Sequence, residues 1–207
     1  MAGRKILLVE GSDDEHVLKH ICSSHDIPNL DEVKPHGGST ELLDSIPVRL
    51  RASNEDGDVV GIIIDADTSL EARWQSIRAR FIQAGYENMP ATPDSNGSIF
   101  ESPDGSLLPR AGIWIMPDNQ TPGILEDFLR FLIPQPNDLF DHVMDSVESI
   151  PNRLFSDNDE PKAVIHTWLA WQEEPGKPYG TAITARFLDP NVPQVDILVS
   201  WLMRLFF

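Results

Sequence analysis

Apolar residues recur along this chain in two rhythms, short unbroken runs and helical stripes, and their alternation predicts an α/β fold. Lys5 to Val9 (KILLV) is short, apolar and closed by Gly11, as expected of a strand buried on both faces. Ser12 stands three residues before Glu15, a capping-box spacing, ahead of a helical face of Val17, Leu18, Ile21 and Cys22. Residues 32–36 read as a weak strand ended by Gly37-Gly38. Ser39 caps a second helix through Leu42, Leu43 and Ile46, disturbed at Pro47. Residues 59–64 (VVGIII) lack any polar side chain and suit the centre of a parallel sheet. A helix over about 70–85 then places Leu70, Trp74, Ile77 and Phe81 on one side.

Farther along, residues 98–101 and 111–116 flank Pro103-Asp104-Gly105-Ser106 and predict a hairpin or a pair of edge strands. Pro122 reads as the first residue of a helix whose apolar face is Ile124, Leu125, Phe128, Leu129 and Leu132. Helices at about 139–149, 162–172 and 193–206, with a short strand at 180–186, complete an α-rich second half. Strands alternating with helices over the first two thirds require a mainly parallel sheet with crossover helices. The 207 residues fit one domain, with a core over about 4–131 and a helical C-terminal part over about 132–207. The 17 prolines lie in connections and form no linker.

Composition narrows the class. A hydrophobic content of 41% supplies a core, so the chain is not disordered. Cys22 is the only cysteine, which excludes an intramolecular disulfide and a cysteine-based zinc site. The apolar run at 6–9 is too short for a signal peptide, and that at 59–64 is far below the ~20 residues of a membrane span. A cytoplasmic protein with no membrane partner is the expectation. The formal charge of −17 argues against broad adhesion to a polyanion. That charge is uneven: residues 138–160 hold seven acids against Arg153 and read as a solvated face, while Arg73, Arg78 and Arg80 form a stretch without acids. Those arginines are candidates to reach substrate phosphates.

The candidate chemistry lies where the two best strands end. Glu10-Gly11 follows the first, and Asp65-Ala66-Asp67 follows VVGIII. In an open α/β sheet, ligands bind beyond the carboxyl ends of the strands. If extended backbone continues past Ile64, its two-residue period puts Asp65 and Asp67 on one side. Gly11 lets the backbone approach a ligand. Two carboxylates about 4 Å apart repel by about 4 kcal/mol at an effective dielectric of 20. Protonation, pairing with Arg or Lys, or a bound cation relieves that, and all-oxygen ligands suit Mg²⁺ or Mn²⁺. Turn and cap chemistry accounts for either motif alone; both at matching strand ends favour a metal site.

V-E-G-S-D-D (residues 9–14) and I-I-I-D-A-D (residues 62–67) together resemble the two signature motifs of the Toprim superfamily. That superfamily includes topoisomerases, bacterial primases, recombination proteins, small ribonucleases and the OLD-family nucleases. The resemblance covers about residues 5–131 and implies a four-stranded parallel sheet with flanking helices and a Mg²⁺ site. Carried over, Glu10 is general acid/base or metal ligand, Asp65 and Asp67 hold metal, and Asp14 falls at the E-G-x-x-D position where OLD-type members use a further acid. Many members have glycine soon after Asp-x-Asp, where this chain has Thr68-Ser69-Leu70; the OLD-like branch tolerates that loss. OLD-like nucleases add an acid after a later strand, for which Asp118, Glu126 and Asp127 are candidates and Glu126 is preferred. They also add a late lysine, Lys177 or Lys162, with Lys177 preferred. The implied function is Mg²⁺-dependent phosphodiester hydrolysis of DNA or RNA. The alternative is a non-catalytic module binding a metal, a nucleotide or a protein partner in a larger assembly such as a phage-defence system. His16 and His20 have the spacing of a zinc pair but lack the His-Glu-x-x-His context, and are set aside.

Overall fold

The computed structural model describes residues 3–52 and 57–207. Its five strands are β1 (Lys5–Val9), β2 (Glu32–Pro35), β3 (Val59–Asp65), β4 (Ser98–Phe100) and β5 (Arg110–Met116). They form one sheet in the order β2-β1-β3-β5-β4, parallel except for β4, which pairs antiparallel with β5. Eight helices flank it: α1 (Ser12–Ser24), α2 (Ser39–Ala52), α3 (Leu70–Ala84), α4 (Leu125–Phe131), α5 (Asp138–Glu148), α6 (Glu160–Ala170), α7 (Tyr179–Thr184) and α8 (Pro193–Phe206). The protein is an α/β fold with a helical C-terminal part.

The apolar strands are explained by burial on both faces. Ile6, Leu8, Val60, Ile62, Ile64, Ile113 and Ile115 point toward α2 and α3. The alternate residues Leu7, Val9, Ile63, Trp114 and Met116 point toward α1 and the later helices. Successive side chains on a strand take opposite faces, so a run without polar residues is what a doubly covered sheet needs. The last helix belongs to this second core. Gly61 and Gly112 are register partners on β3 and β5. A Cβ at Gly61 would sit 2.8 Å from Phe206 Cζ, and one at Gly112 would sit 2.5 Å from Leu205 Cδ2. The two glycines thus let α8 lie close on the sheet.

Four local expectations are corrected. Residues 180–186 are not a strand: α7 occupies Tyr179–Thr184, and its buried Tyr179, Ala182 and Ile183 recur at helical spacing. The helix after β5 begins at Leu125, not at Pro122. Gly123 instead forms an isolated antiparallel bridge with Asp67 ahead of the helix, each amide donating to the other's carbonyl at 2.9 Å. The α1 cap lies one residue earlier than Ser12, at Gly11, whose N–H donates to Asp14 Oδ2 at 3.0 Å. Glu15, the expected capping acid, pairs with Lys19 instead. Helix α2 continues through Pro47 to Ala52. Among the described residues, no helix is long and apolar enough to cross a membrane.

Candidate functional site

β1 and β3 run side by side, so Glu10, just past one, and Asp65, the last residue of the other, meet at one end of the sheet. The Asp65 N–H donates to Glu10 Oε1 at 2.8 Å, which fixes the glutamate across the strand ends. Gly11 turns the chain into α1, and Asp14 follows one turn in, only 6% exposed. From the other side, the first turn of α4 brings Glu126, 5% exposed. Both acids stand at helix N-termini, where the macrodipole favours negative charge. These four carboxylates, with His36 and Lys162, line a hollow of about 360 Å³.

The electrostatics of the group are uniform. Burial, the largest effect, raises the carboxyl pKa of Glu10, Asp14, Asp65 and Glu126 alike. For Asp14 burial and the nearby Glu10 push it up to about 7. Asp65 lies well above the ordinary range through burial and then the charges of Glu10, Asp14, Glu126 and Asp67. The Asp65 amide and Arg73 pull Glu10 partly back, and Lys162 does so for Glu126. Asp14 Oδ1 and Asp65 Oδ1 are buried without a hydrogen-bond partner among the described residues. Among the described residues, however, no three His, Cys, Asp or Glu side chains are gathered closely enough to hold a metal ion.

The remaining sequence candidates separate clearly. Asp67 does not extend β3: its φ of 54° breaks the two-residue period, and the residue pairs with Arg73. It lines a neighbouring hollow of about 510 Å³ that shares Lys162 with the first. Asp127 caps α4, accepting from the Ile124 N–H at 3.0 Å, while its neighbour Glu126 faces the carboxylates. Asp118 closes a turn, its Oδ1 accepting from the Gln120 and Thr121 amides. Lys177 lies outside the cluster and pairs with Glu174 at 2.7 Å. Lys162, the lysine not preferred, lines both hollows and makes no ion pair among the described residues. The arginines of α3 serve the protein: Arg73 holds Asp67, Arg78 donates to the Met89 carbonyl at 3.2 Å, and Arg80 pairs with Asp44 at 3.1 Å.

Three residues reach the site without any motif. His36 Nδ1 lies 3.3 Å from the Val9 carbonyl, and its Nε2 is buried without a partner. Tyr179, at the start of α7, donates its hydroxyl to Glu126 Oε1 at 3.1 Å. His166 Nε2 lies 2.9 Å from that same hydroxyl. The helical spacing of Tyr179, Ala182 and Ile183 after Pro178 was the available signal for α7. A larger depression, about 910 Å³, lies along edge strand β2. Several of its charged residues are engaged elsewhere, as in the Lys19–Glu15 pair and the Asp31 bond to the Lys5 N–H.

No curated protein and no solved structure matches the chain. The model of the family described as "Protein of unknown function (DUF3226)" matches residues 4–207, and the chain belongs to that family.

Proposed function

We propose that the protein hydrolyses phosphodiester bonds in nucleic acid with the help of a divalent cation, Mg²⁺ or Mn²⁺, at the hollow beyond β1 and β3. The observation that carries this reading is the pair of buried, unpartnered carboxylate oxygens, Asp14 Oδ1 and Asp65 Oδ1. A buried polar atom without a partner costs about 1–3 kcal/mol, and a hard cation offsets that for several carboxylates together. The donor set is all oxygen, which fits Mg²⁺ or Mn²⁺ better than a softer ion. When bound, such an ion lowers the pKa of an adjacent water and polarises a phosphoryl oxygen.

In this reading Asp14, Asp65 and Glu126 would supply the oxygen ligands of the cation, closing on it as it binds, and Asp67 would border it. Glu10, anchored through Oε1 on the Asp65 amide, takes the proton of the attacking water. Lys162 faces the charge gathering on the phosphate oxygens as the new P–O bond forms. The bond to the leaving oxygen breaks, and that oxygen takes up the proton Glu10 received, directly or through water, which returns Glu10 to its starting state. Nucleic acid as substrate follows from the resemblance of residues 9–14 and 62–67 to the Toprim motifs. The charge of −17 favours a narrow contact, or delivery of the substrate by a protein partner.

One observation favours a second reading. The carboxylates are near one another but not gathered around a common point, which suits a module that binds a metal, nucleotide or partner without catalysis. Calorimetric titration with Mg²⁺ and Mn²⁺, alongside cleavage assays on single- and double-stranded DNA and RNA, separates the two. Metal-dependent cleavage by the full chain, absent from an Asp65→Ala/Asp67→Ala variant with an unchanged circular dichroism spectrum, is expected. Metal binding without cleavage selects the module, and absence of divalent binding rejects the metal site altogether.

A further inference from the structure

Among the described residues, Glu126 is the one carboxylate of the cluster whose side chain is bonded by a residue of the C-terminal helices. Tyr179 is 3% exposed, and its hydroxyl donates to Glu126 Oε1 at 3.1 Å. A phenol has a single proton, and an ionised carboxylate can only accept. With that proton directed to Glu126, the Tyr179 oxygen must accept from His166, which therefore presents Nε2–H at 2.9 Å. The His166 and Tyr179 rings also lie against each other, centroids 5.2 Å apart. The tyrosine has little freedom to move. The next residue, Gly180, packs so closely on α1 that a Cβ there would lie 2.5 Å from His20 Cδ2 and 3.0 Å from the His16 carbonyl. Farther along α7, Thr184 Oγ1 lies 2.6 Å from His20 Nδ1, a second tie to α1.

We infer that Tyr179, backed by His166, is a positioning residue that fixes the Glu126 carboxylate for cation binding. This rests on the reading of the carboxylate hollow as a divalent-ion site. Helix α7 lies on α1, which carries Asp14, and the Tyr179 hydroxyl reaches α4, which carries Glu126. The C-terminal helices thereby set the spacing of acids delivered by separate elements. Groups that orient a ligand side chain typically change metal affinity by about 10–100-fold when removed.

The test measures Mn²⁺ binding to the full chain by electron paramagnetic resonance. The variants are Tyr179→Phe, Glu126→Gln and the two combined. Phenylalanine keeps the ring and its packing, so thermal melting should stay close to wild type while Mn²⁺ affinity falls about tenfold. The double variant should bind no more weakly than Glu126→Gln alone, because both changes remove one interaction. His166→Ala, at an exposed position, should lower affinity about threefold and keeps the question open to measurement if Tyr179→Phe does not fold. Wild-type affinity in both Tyr179→Phe and His166→Ala, or full additivity with Glu126→Gln, overturns the positioning role and leaves the metal site standing. Absence of Mn²⁺ binding by the wild-type chain overturns the metal site and this role together.

Discussion

The sheet carries acids at both of its ends, and the protein uses them differently. At the amino end, Asp58 Oδ1 accepts from the Arg4 N–H at 2.8 Å and Asp31 Oδ2 from the Lys5 N–H at 2.7 Å. Arg4 also pairs with Glu32 at 3.2 Å. Each of these acids completes the start of a strand. At the carboxyl end, Asp14 and Asp65 each keep a buried oxygen that no group among the described residues satisfies. Depth of burial does not separate the two ends, since Asp58 is 5% exposed and Asp14 6%. What separates them is bonding capacity left over once the fold is complete, and leftover capacity is what a ligand can use.

Neutralising one acid at each end tests this contrast most severely. Asp65→Asn should lower divalent-dependent cleavage by about 10³-fold, since the proposed function places this charge at the reacting centre. Asp58→Asn should leave the rate within about twofold, because surrounding scaffold is altered but no site group is touched. Initial rates at saturating Mg²⁺ read both. Equal losses from the two substitutions would break the comparison.

The second test reads stability against pH in the metal-free protein. Asp14 has its carboxyl pushed up from an ordinary 3.8 to about 7, so the folded state holds this proton more tightly than the unfolded chain does. Below pH 3.8 both states carry it and the group contributes no difference. As pH rises from about 4 to about 7 the unfolded chain ionises first, so stability falls, and above that range the loss is constant. At 1.36 kcal/mol per pH unit the displacement amounts to up to about 4 kcal/mol. Thermal melting without divalent ions should therefore improve on acidification from pH 8 to 5. Asp14→Asn should raise the melting temperature at pH 8, flatten that dependence and remove the further rise expected from Mg²⁺ in the wild type. A metal-free wild type that loses stability over the same acidification would contradict the picture.

Much of this contrast was legible in the residue pattern, for reasons that also mark where legibility ended. KILLV and VVGIII announce strands because burial on both faces leaves no room for polar residues, and Glu10 and Asp65 follow directly from where those runs stop. Asp67 was visible as a residue but not in its geometry, because its left-handed backbone is set by pairing with Gly123, 56 positions away. Helix α7 departs from the strand its residue pattern suggests for a similar reason. PYGTAI has weak local preference, and contact with α1 through Gly180 accompanies the helix in the folded protein. Choosing between Lys162 and Lys177 requires knowing which helix passes the strand ends, and nothing local to either lysine records that.

The two lysines give the third test. Lys162→Ala should reduce cleavage by about 10²-fold through loss of the charge proposed to face the phosphate, and raising the salt concentration should narrow that difference. Lys177→Ala removes a pair with the exposed Glu174 and should leave the rate unchanged, with a stability effect of at most about 1 kcal/mol. The reverse pattern would move the substrate path away from the hollow.

The smallest expected effect comes from the amino end, and it is an effect on folding alone. Asp58→Ala takes away the oxygen that accepts the Arg4 N–H just before β1. An amide left without its partner costs about 1–3 kcal/mol. Urea unfolding should therefore show a lower midpoint with an unchanged slope, since the same surface is exposed on unfolding. Mn²⁺ affinity, measured on the folded fraction, should equal that of the wild type. Added Mn²⁺ should stabilise wild type and variant by equal amounts, because binding stabilises according to affinity and both carry the same site. A variant that unfolds more easily and also binds Mn²⁺ more weakly would mean that the two ends of the sheet are coupled. The division between acids that build the strands and acids that bind would then fail.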